Sequence, residues 1–94
     1  MSETTDNQSL PVSFSTLALS LASSAILAMG LEKNPATGNI EKDLPLARFN
    51  IDMLDMLKTK TKNNLTADEQ QFIETVISDL QMKFVYASGG HKNA

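Results

Sequence analysis

The chain has 94 residues, enough for one domain, and with frayed termini trimmed to about 75 it is close to the size at which a single core needs a staple or a partner. Its net charge is −3, aromatic residues make up 5% and Trp is absent, so a nucleic-acid surface lacks both electrostatic attraction and stacking platforms. Cysteine is also absent, which excludes disulfides and thiolate metal sites and fits a cytoplasmic setting.

Residues 1–10 are polar and acidic, and the sequence predicts a disordered N-terminus there. From Asn7 to Leu31 no side chain is charged, which raises the question of a membrane span. The pattern within the run argues against it. On a helical wheel Thr16, Ser20, Ser23 and Ser24 gather in one arc, opposite Phe14, Leu17, Ala18, Leu21, Ala22, Ala25, Ala28 and Met29. Such a hydroxyl stripe is the wet face of an amphipathic helix, which a lipid-facing segment does not need. No Lys or Arg precedes the run, where Glu3 and Asp6 stand instead, so a secretory signal fits worse still.

The first helix is expected over about 14–29, with Ser13 as N-cap and Gly30 as the left-handed stop. Its row Ala18, Ala22 and Ala25 allows close approach by another helix, in the core or in a self-association seam. The connection from Gly30 to Asp43 holds two turn signals, Asn34-Pro35 and Thr37-Gly38. It is long for a compact domain. Ile40 is expected to pin it to the core, and its length lets the first helix reach a second chain.

The second helix is expected over about 44–61, entered through Asp43 with Pro45 in its first turn. Leu46, Phe49, Met53, Met56 and Leu57 form one apolar face, and Leu44, Ala47, Ile51 and Leu54 a second beside it. So wide an apolar sector predicts contact with more than one partner. Helix three is expected over about 66–86, opened by the capping box Thr66-Ala67-Asp68-Glu69. Phe72, Ile73, Val76, Ile77, Leu80 and Phe84 make its stripe, while Met82, Val85 and Tyr86 fall off it, over a loop or a neighbouring subunit. A short link makes helices two and three an antiparallel hairpin. The fold class is therefore all-α, a single domain over 11–87 with a disordered tail over 88–94.

Several segments carry a resemblance: Asn34-Pro35 with Thr37-Gly38, Ile51-Asp52 with Leu54 and Leu57, the run Lys60-Thr61-Lys62-Asn63-Asn64-Leu65-Thr66 with Glu69, and Asp79-Leu80-Gln81-Met82 with Phe84-Val85. The chain resembles the bacterial family catalogued as domain of unknown function 1844. The likeness implies a soluble helical fold and no chemistry. Asn63 stands where that family has Gly, and Gln81 where it has Arg. Asn tolerates a left-handed turn, so the first change should leave the turn intact.

Lys58, Lys60 and Lys62 form a basic cluster whose first explanation is the negative end of a helix dipole, with contact to an anion as the alternative. Asp52 and Asp55 lie on the polar arc near Arg48 and Lys58, which favours surface ion pairs over acid–base catalysis. His91 is the sole histidine and, without Cys, builds no zinc site. No nucleophile–base pair or phosphate loop is present. The sequence thus points to a non-catalytic interaction or scaffold module without metal or cofactor, acting as a homo-oligomer, a dimer by preference, or on an unidentified protein partner. Its interface candidates are Ala18, Ala22, Ala25, Phe49, Met53 and Leu57. The competing readings are a membrane-associated protein with helix one inserted, and an anion or nucleic-acid binder using the three lysines.

Overall fold

The computed structural model describes residues 11–89 and is all-α, with no strand among them. Its three helices are α1 (Phe14–Met29), α2 (Leu44–Lys60) and α3 (Ala67–Ala87), within one residue of the ranges the sequence predicts. The N-terminal segment 1–10 and His91 lie outside the described residues, as does the tail beyond Gly89.

Each helix starts where a side chain satisfies an orphan N–H. The Ser13 hydroxyl accepts from the Thr16 N–H at 3.1 Å, and the Asp43 carboxylate from the Leu46 N–H at 3.1 Å. At α3 the capping box closes in both directions: the Glu69 N–H donates to the Thr66 hydroxyl at 3.1 Å, and the Thr66 N–H to the Glu69 carboxylate at 2.9 Å. Gly30 ends α1 at φ 80°, a conformation that costs an L-residue with a Cβ about 1–2 kcal/mol. Asn63, at φ 72°, takes the left-handed position in the second turn. The departure from Gly there is tolerated as expected.

The long connection is tied at its base, where the Asp43 N–H donates to the Ala28 carbonyl at 2.7 Å. Further out, the Asn34 N–H reaches the Asn39 carbonyl at 2.8 Å, and the Asn34 side chain accepts from the Ala36 N–H at 2.9 Å. Such bonds hold the loop through its own backbone rather than through the core. Ile40 corrects the expectation made for it: it is 56% exposed and pins nothing. The loop's backbone bonds do the work assigned to that side chain.

All three helices contact one another, and α1 packs within its own chain. Its buried face is made of Ala18, Ala22, Ala25, Ala28 and Met29. Opposite lie Ala47, Ile51 and Leu54 of α2 and Ile73, Ile77, Leu80 and Ala87 of α3. Leu17, assigned to the apolar arc, is 48% exposed. The buried sector centres on the alanines, and at about 100° per residue Leu17 falls at its edge.

Because Ala25 has no exposed surface, Ala25→Leu should overpack the core and cost about 1–3 kcal/mol in urea denaturation. Thr66→Ala, by contrast, should cost about 1 kcal/mol, the usual size of a lost N-cap. An unchanged midpoint for either variant would contradict the packing and capping described.

Candidate interaction surface

The sequence leaves open which apolar face of α2 is buried, and the structure places them differently. Ala47, Ile51 and Leu54 are buried. Leu46, Phe49 and Met56 are exposed at 47%, 57% and 40%, with half-buried Met53 between them. These four follow one another at alternating steps of three and four residues, so they share one face of the helix. Leu44 and Leu57 lean on the edge of the core.

The interface candidates therefore separate. Ala18, Ala22 and Ala25 lie at 0%, 6% and 0% exposure in the core of their own chain. Phe49 stands outward, with Met53 and Leu57 half-buried. Leu46 and Met56, which sequence reasoning placed beside Phe49 without naming them as contacts, complete the stripe. Met82, Val85 and Tyr86 of α3 are exposed too.

A residue missed from sequence is Asn50, the buried polar side chain of α2, at 6% exposure. Its amide donates to the Leu46 carbonyl one turn back at 3.1 Å, so burial leaves no lost donor. The signal was its position three residues after Ala47 and four before Leu54, on the core stripe.

The charged groups form ordinary surface pairs. Arg48 lies 3.7 Å from Asp52, and its guanidinium also stands 4.7 Å above the Phe84 ring, tying α2 to α3. The expected pairing of Asp55 with Lys58 is not among the ion pairs the described residues form. A three-residue spacing leaves the choice of rotamer open, and a pair near the surface gains too little from contact to fix it. Lys58 and Lys60 occupy the last turn of α2, and Lys62 follows it in the turn. That position suits the negative end of the helix dipole. Gln81 is exposed on α3.

Among the described residues there is no pocket and no cluster of His, Asp or Glu able to hold a metal ion. Among the same residues no helix is long and apolar enough to cross a membrane.

Replacing Lys58 and Lys60 together by Gln should lower stability by about 0.3–1 kcal/mol per charge at low salt, and by less at 1 M salt, where the dipole interaction is screened. Thermal melts at the two ionic strengths check this, and an equal loss at both would exclude the electrostatic account.

No curated protein and no solved structure matches the chain. A family model does, over residues 11–86, taking in all three helices up to the last turn of α3. On that match the chain belongs to the family described as domain of unknown function 1844.

Proposed function

We propose that this protein is a non-catalytic interaction module that works as a homo-oligomer, most simply a dimer. The observation that supports the reading is the face of α2 carrying Leu46, Phe49, Met53 and Met56, which its own core leaves uncovered. Isolated exposed apolar residues are normal on any protein. A contiguous stripe on one helix is a feature of interaction surfaces. Within each copy α2 and α3 are read as an antiparallel hairpin, supported by the short capped link between them. A cytoplasmic setting goes with this reading and is supported by the absence of cysteine.

Light scattering on a size-exclusion column tests the proposal. The expected mass is twice that of the chain at a loading of about 500 µM, falling toward one chain on dilution as mass action requires. A single-chain mass across the whole range would refute it.

A further inference from the structure

We infer that α2 pairs antiparallel with α2 of a second copy of this chain, about a two-fold axis, through Leu46, Phe49, Met53 and Met56. This rests on the self-association proposed above and names its surface and geometry. Alternating steps of three and four residues are the spacing of a coiled-coil seam, in which such side chains interlock with those of a facing helix. The stripe lies beside the core face formed by Ala47, Asn50, Ile51 and Leu54, so a second helix can seat there without disturbing the first contact.

Charge selects the second copy and its direction. Glu41 and Asp43 stand at the entry of α2, where Asp43 caps the helix and Glu41 accepts from the Asn34 amide, and Lys60 and Lys62 stand at its exit, Lys60 on the side of the stripe. Lys42 is engaged elsewhere, because its stem lies against Gly30: a Cβ added there would sit 3.1 Å from the Lys42 Cβ. The stem thus lies along the C-terminal end of α1, whose own last turn has no basic residue. An antiparallel pair sets the acidic entry of each helix beside the basic exit of the other and opposes the two dipoles. Parallel pairing would set Lys60 and Lys62 against their own copies. A two-fold contact is also self-complementary, as this charge pattern requires.

The register follows from the seam. Leu46 faces the partner's Met56 and Phe49 the partner's Met53, with the axis passing near Ile51. The stripe offers only a few hundred Å² per copy, well under the roughly 800 Å² per partner of a standard stable interface. A contact of that size makes the pair weak and transient, populated only at high chain concentration.

Sedimentation equilibrium on wild type, Phe49→Glu and a Met82→Glu control tests the surface. Phe49→Glu should weaken dimerisation at least tenfold with its helical circular dichroism unchanged, while Met82→Glu dimerises like wild type. Direction is read from cysteine pairing, clean here because the chain has none. A mixture of Leu46→Cys and Met56→Cys chains should give the mixed disulfide. Neither variant alone should cross-link, since positions ten residues apart lie about 15 Å apart along a helix, beyond disulfide reach. A wild-type dimer that Phe49→Glu leaves intact overturns this inference but not self-association. Cross-linking of Leu46→Cys to itself overturns the antiparallel geometry. A wild-type monomer at about 500 µM overturns both, leaving the stripe to another protein or to the chain's own terminal segments.

Discussion

The rest of the structure depends on how little side chain α1 puts between itself and its neighbours. Its buried face is four alanines and Met29, flanked by half-buried Phe14, Leu21 and Ile26, so the other helices meet a central strip made mostly of methyl groups. The bulk of the core comes from across the contact, from Ile51 and Leu54 of α2 and from Ile73 and Leu80 of α3. Close packing of this kind leaves little slack, which is why a core alanine is as constrained as a core leucine. It also has a cost in coverage. A helix that fits closely through methyl groups covers only a narrow band of each partner, and the second apolar face of α2 falls outside it.

The loop between α1 and α2 fixes this arrangement. It is long enough to let α1 leave for another chain, yet the Asp43 N–H bonds back to the Ala28 carbonyl and joins the end of one helix to the start of the next. Lys42 folds over Gly30 at the same point. Length alone does not decide where a helix docks; the bonds that close the base of its connection do. Within the uncharged run, residues 14–29 are thus a helix packed on its own chain, with the hydroxyls Ser20, Ser23 and Ser24 facing outward.

What could be read from sequence follows the range of the interaction. Ser13, Gly30, Asp43 and the Thr66–Glu69 box act within one helical turn, and each does what its residue type predicts. Asn63 adopts its left-handed turn for the same local reason. The placement of Ile40 needed a long-range contact that the loop's own bonds made unnecessary. The choice between two apolar faces of α2 was equally out of reach, because both have helical spacing and only the position of α1 selects one. The alanine row suited a core and a seam alike; in the structure it lies in the core of its own chain, while Phe49 stands toward solvent with Met53 half-buried beside it.

On the pairing proposed above, the alanine face serves the chain itself and the α2 stripe serves a second copy. Methyl and aromatic NMR shifts followed across a concentration series test it most directly. The account predicts that signals of Leu46, Phe49, Met53 and Met56 move with concentration while the methyls of Ala18, Ala22 and Ala25 stay fixed. Shifts at the three alanines with a silent α2 stripe would contradict it.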